Sequence, residues 1–192
     1  ILHAHVHTNT PDAVFTYVSR WGSLEKTKAE DMQAQHRGLQ HGVQKPVGIV
    51  ADSACDLPDS ILDRHGISLV PLQVIFGDEV LLDRVELKPE EFYRRMRSSP
   101  HLPSTSQPTV ADFVRVFREA RHQAEDVISV LVSSGLSGTF QSAAAAIKAG
   151  GLTNVRLVDS KSASLGAGML ALRAAELAEL NWPAAAIAAE LE

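Results

Sequence analysis

Apolar runs, polar loops and helically spaced apolar residues follow one another from residue 46 to the end of the chain. "VGIVA" (47–51) carries no polar side chain, which predicts a strand buried on both faces. Pro58–His65 reads as a short helix closed by Gly66. "ISLVPLQVIFGDEVLLD" (67–83) predicts two extended segments around the turn Gly77-Asp78. "KPEEFYRRMRSS" (88–99) reads as a helix with a solvated face, and "PSTSQPT" (103–109) as an irregular loop stiffened by Pro100, Pro103 and Pro108. Thr109 caps the helical pattern "VADFVRVFREARHQA". Then come a strand "DVISVLV", a helix "FQSAAAAIKA", a strand "VRLVD" and the long apolar helix "LGAGMLALRAAELAEL". Apolar strands alternating with helices predict an α/β fold, a mostly parallel sheet with helices on both faces.

Residues 1–45 follow a different pattern and form a separate, small α+β segment running into a linker. "ILHAHVHT" alternates apolar residues with histidines, the period of a half-exposed strand. "TPDAVFTYVSRWG" then predicts a helix with Thr10 as N-cap, Pro11 in its first turn and Gly22 as its stop. The first residue is Ile1, and "PAAAIAAELE" stops inside a helical pattern, so the chain reads as a fragment of a longer protein.

Composition narrows the class. The chain has 192 residues, 45% of them apolar, and a formal net charge of −5, which offers no general attraction to nucleic acid or anionic membranes. One cysteine, Cys55, excludes an internal disulfide and a cysteine-rich metal cluster; a small packed residue is the expected role. There is no signal-peptide pattern and no long apolar run, so the expected location is cytoplasmic.

In an open α/β sheet, ligands bind outside the carboxyl ends of the strands. "ADSACDLP" (51–58), "SSGLSGT" (133–139) and "DSKSASLGAG" (159–168) fall at such ends, and "PSTSQPT" adds a further set of hydroxyls. Hydroxyls and glycines that open helices suit a small anion or carboxylate. The simpler reading is that Ser, Thr and Asp there are N-caps. Asp52 and Ser53, with Asp159 and Ser160, are expected to brace the loop edge. "GLSGT" is not a nucleophile elbow, since Thr139 stands where the second glycine belongs. Among the nearby histidines, His65, His101 and His122, only His101 lies beside a candidate loop as a base for Ser137. No phosphate-cradling lysine motif or strand-linked G-x-G-x-x-G is present.

"VADSACDLP", "PSTSQPT", "SSGLSGTFQSA" and "VDSKSASLGAG" stand in the order and approximate spacing of the DegV family, which residues 46–192 resemble. The resemblance implies a bacterial lipid-binding protein of the kind that serves as the fatty-acid-binding (FakB-type) component of a fatty-acid kinase system. It implies a carboxylate held by Thr105 and Ser137, with the Gly138 N–H beside them and Ser106 as a neighbour. No cofactor is required; the ligand is a long-chain fatty acid. Family members continue into a second lobe. An apolar surface left without it is expected to be covered by another chain, which would give self-association.

Residues 1–45 resemble the tail of the dihydroxyacetone-kinase-like fatty-acid kinase (FakA type), carried by "HVHTNTPDAVFTYVSRWGSLEKTKAEDMQAQH". That implies a kinase partner, fused or separate; fusion raises the effective concentration of carrier at kinase. His5 and His7 match a histidine pair that belongs, in the kinase, to a zinc site completed by an upstream cysteine. Exposed strand histidines are the alternative reading. The sequence therefore reads as a fatty-acid carrier presenting its ligand for phosphorylation and not itself a catalyst. The rivals are a hydrolase or transferase using Ser137, and an assembly module without a small ligand.

Overall fold

The computed structural model describes residues 11–22 and 45–192. The chain divides into two units, Ile1–Gly42 and Val43–Glu192. In the first, helix α1 (Pro11–Val18) begins at a proline whose fixed φ and missing N–H suit a first turn. Ser19 Oγ donates to the Phe15 carbonyl at 2.8 Å, and the Tyr17 and Trp21 rings lie 6.4 Å apart. The strand expected at 1–8, its histidines and Thr10 lie outside the described residues.

In the second unit, a strand with no polar face must be covered on both sides, and β1 (Lys45–Asp52) is. It pairs in parallel with β2 (Ile67–Val70) on one edge and β6 (Ala124–Leu131) on the other, and β7 (Val155–Asp159) extends the sheet beyond β6. The order is β2-β1-β6-β7. Val47, Ile49 and Ala51 join a core with α2 (Asp59–His65), α6 (Leu165–Glu179) and α7 (Ala184–Leu191). Val50 points the other way, into Phe113, Val116, Phe117 and Ala120 of α4 (Val110–Gln123) and the buried alanines of α5 (Thr139–Gly150). Those four α4 residues recur at i, i+3, i+4 and i+7, the stripe a sheet-facing helix needs. Thr109 closes a capping box with Asp112, as the sequence predicts for the cap.

A second sheet of three antiparallel strands branches off: β3 (Gln73–Phe76), β4 (Glu79–Leu82) and β5 (Ser104–Ser106), in the order β4-β3-β5. Residues 67–83 thus hold three strands, not two. Pro71 has no N–H to continue a ladder, and the chain changes sheets there. Part of "PSTSQPT", expected as an irregular loop, is β5, with Thr105 opposite Val74 and Ser106 opposite Gln73. Helix α3 (Pro89–Ser98) has no fully buried residue. Arg95 reaches Glu91 on its own helix and Glu79 on β4, both at 2.7 Å.

Candidate ligand-binding site

Strands β1 and β6 are neighbours, but the chain leaves β1 toward β2 and leaves β6 toward β7, on opposite sides. Their carboxyl ends therefore open a crevice at a topological switch point. Three polar segments meet there and are tied together by hydrogen bonds.

The first segment starts at Asp52, which is fully buried. One carboxylate oxygen accepts the Val132 N–H at 2.7 Å, just past β6, and the other accepts the Ala54 N–H at 3.0 Å. Ser53, also buried, accepts the Leu72 N–H at 3.0 Å. Nearby, burial chiefly pushes the Asp83 carboxyl up. Cys55 is packed in the same turn, and burial raises its thiol.

Burial pushes the Asp52 carboxyl up to about 6, outweighing the two N–H donors that favour its charged form; Asp56 adds to the rise. The native state therefore binds more protons than the unfolded chain between the ordinary carboxylate value and about 6. Asp52's contribution to stability falls as pH rises through that window. Relative to an Asp52→Asn variant, the protein is expected to lose about 2–3 kcal/mol of unfolding free energy between pH 4 and pH 7. Urea titrations of both proteins at the two pH values check this; parallel pH profiles would contradict it.

The second segment, Ser133–Thr139, is pinned at one end by the third. The Ser133 N–H donates to the Ser162 carbonyl at 2.8 Å. The Ser134 N–H and hydroxyl both donate to Asp159, at 3.1 and 2.5 Å, and the Lys161 N–H adds a bond at 3.0 Å. These donors, Ser134 first, hold the Asp159 carboxyl below its ordinary value. Ser160, also buried, ties its N–H to the Leu131 carbonyl and its hydroxyl to Ser162. Asp52, Ser53, Asp159 and Ser160 thus each hydrogen-bond to one of these segments or to the loop beside it.

The half-buried Ser137 shares a hydrogen bond with the buried Thr139 hydroxyl (2.8 Å) and accepts the Thr139 N–H (3.3 Å). Gly138 is the N-cap of α5 and has no side chain to cap it; the Ser137 hydroxyl takes the Thr139 N–H, the first of the helix. The start of a helix carries further N–H groups without helical partners and the positive end of the helix dipole. Gly138 is also where β5 arrives. A Cβ at Gly138 would meet the Gln107 amide at 2.8–2.9 Å, so the Gln107 side chain lies directly over this glycine. Thr105 and Ser106 sit just before Gln107, Thr105 exposed and Ser106 half-buried. The structure therefore brings the segments carrying Thr105, Ser106, Ser137 and Gly138 together at one edge. Sequence reasoning missed Gln107 and Thr139; the only signal was their place inside the two hydroxyl-rich motifs.

Among the described residues, no histidine hydrogen-bonds to Ser137. His65 pairs with Glu179 at 2.9 Å, and His101 is exposed. The described residues hold no group of three or more metal-ligating side chains, and His5 and His7 lie outside them. No described helix is long and apolar enough to cross a membrane.

A parallel sheet covered on both faces, with a hydroxyl-rich rim at its switch point, defines an open α/β protein of the doubly wound kind. The chain belongs to the DegV family, whose profile, described as that of an uncharacterised protein family, matches residues 46–192. A second profile, that of the FakA-like middle domain from the fatty acid kinase, matches residues 1–39. The segment expected to be the kinase's tail thus corresponds to its middle domain. A DegV domain-containing protein of Listeria innocua is 36% identical over 151 residues, 78% of this chain and 53% of that protein. The chain is similar to two solved structures. One, from Thermus thermophilus, is described as fatty acid binding of a DegV family protein: 41% identity, TM-score 0.69, 76% of this chain and 52% of that one. The other is Bacillus subtilis DegV, described as a fatty acid binding protein: 35% identity, TM-score 0.71, 77% and 53%. The chain spans about half the length of the curated relatives it matches.

Proposed function

We propose that the protein binds a long-chain fatty acid, with the carboxylate held between Thr105 and Ser106 on the β5 segment and Ser137 and Gly138 at the start of α5. The observation that carries this reading is the contact of Gln107 on Gly138, which brings the β5 segment, with its hydroxyls on Thr105 and Ser106, to the start of α5. Both features donate hydrogen bonds to an anion. The similar Thermus and Bacillus proteins are described as fatty-acid-binding. Burial of the tail contributes roughly 0.8 kcal/mol per methylene, so the chain supplies most of the affinity and the head group fixes orientation.

The bound acid is presented to a fatty-acid kinase domain for acyl-phosphate formation, and the kinase-like match over residues 1–39 supports that partnership. The protein acts as a carrier: Ser137 is engaged by Thr139, not by a base, and hydrolysis of a test ester is expected to be absent.

Competition between oleate and methyl oleate against a fluorescent fatty-acid probe tests the head-group reading. Oleate is expected to bind more tightly; equal binding would contradict it. Gly138→Ala is expected to weaken oleate about five- to tenfold, because the new methyl displaces the Gln107 amide. Methyl oleate should be little changed, and an equal loss for both ligands would contradict the assignment.

A further inference from the structure

The two sides of the proposed head-group site belong to different sheets, and nothing in their own sequences fixes the distance between them. Thr105 and Ser106 lie on β5, an edge strand of the antiparallel sheet, paired only to β3. Ser137 lies on the segment that follows β6 of the parallel sheet. Two consecutive residues at the end of β1 reach both. Asp52 accepts the N–H of Val132, five residues before Ser137 in the same segment. Ser53 accepts the N–H of Leu72, the residue before β3, and the Leu72 carbonyl accepts the N–H of Asp83 just past β4. Through Leu72, Ser53 is thus linked to both ends of the β3–β4 hairpin. Both side chains are buried, and both stand at the end of an interior strand of the parallel sheet.

We propose that Asp52 and Ser53 form a two-way bracket that sets the spacing between the Thr105 strand and the Ser137 loop, and so act as positioning residues for carboxylate recognition. The proposal rests on the fatty-acid reading above. Asp52 acts through Ser137, and Ser53 acts through Thr105. The bracket governs discrimination between an acid and its ester more than it governs uptake of the acyl chain. A purely structural role would lower stability and leave the folded protein's discrimination intact.

A double-mutant cycle on the purified protein separates these roles, with oleate and methyl oleate as probes and the folded fraction fixed by circular dichroism. Ser53→Ala is expected to weaken oleate roughly fivefold and methyl oleate less than about twofold. In a Thr105→Ala background, Ser53→Ala is expected to change oleate binding by less than about twofold, because the group it positions is gone. Asp52→Asn should show the same dependence on Ser137. Ser53→Cys, which leaves only a weak sulfur acceptor for the Leu72 N–H, serves if Ser53→Ala does not fold, with the same pattern expected in weaker form. Equal losses for both probes, or an unchanged effect in the Thr105→Ala background, would overturn the bracket while leaving the carrier reading in place. A parent protein that does not distinguish oleate from methyl oleate would overturn the reading and the bracket with it.

Discussion

Gly168→Ala is expected to destabilise the protein by about 3 kcal/mol or more. Gly168 lies in the first turn of α6, where the helix crosses the 3-10 turn Ser53–Cys55. A Cβ there would lie 2.2 Å from the Cys55 carbonyl oxygen and 3.0 Å from Leu57 Cγ. The first contact is with backbone, so no rotamer change relieves it, and the helix has to lift from the turn. Alanine's better helix propensity returns only about 1 kcal/mol. The turn that moves also holds Ser53, with Asp52 just before it, so the rim should loosen together with the core. Urea unfolding checks the first effect, and a change below about 1 kcal/mol would mean that α6 does not sit on this turn.

Thr105→Ala/Ser137→Ala should have the largest effect on ligand binding. Each hydroxyl that donates to a carboxylate contributes about 1.5–3 kcal/mol, so removing both should weaken oleate by roughly two orders of magnitude or more. Stability should change little from Thr105, which is exposed on an edge strand. Ser137 adds a modest cost, because Thr139 is buried and loses a partner. Displacement titration of the double variant and of each single variant measures the effect. A double variant within threefold of the parent would place the head group elsewhere.

The parallel half of this fold was legible because its strands advertise themselves. "VGIVA" and "DVISVLV" have no polar face, and Thr109 and Gly66 mark helix boundaries with side-chain and backbone chemistry that acts locally. The antiparallel sheet was harder to read. β5 is three polar residues between prolines, two of them exposed, so no apolar alternation marks it. Its pairing with β3 is decided by the partner strand, which local pattern does not report. Pro71 was visible in the sequence, but its consequence, a change of sheet between β2 and β3, depends on which edges are free. At the site, Ser137 and Asp159 were legible as hydroxyl and carboxylate groups at strand ends. Gln107 was not: an uncharged amide in a loop has no signature until Gly138 is found underneath it.

The central claim is that a fatty-acid carboxylate is held between the β5 segment and the start of α5. Mass spectrometry of lipid extracted from the purified protein and from its Thr105→Ala/Ser137→Ala variant, each after incubation with palmitate and oleate, tests it most directly. The account predicts fatty acid near one equivalent in the parent and loss of most of it in the variant. A parent that stays empty, or a variant that retains as much fatty acid as the parent, would contradict it.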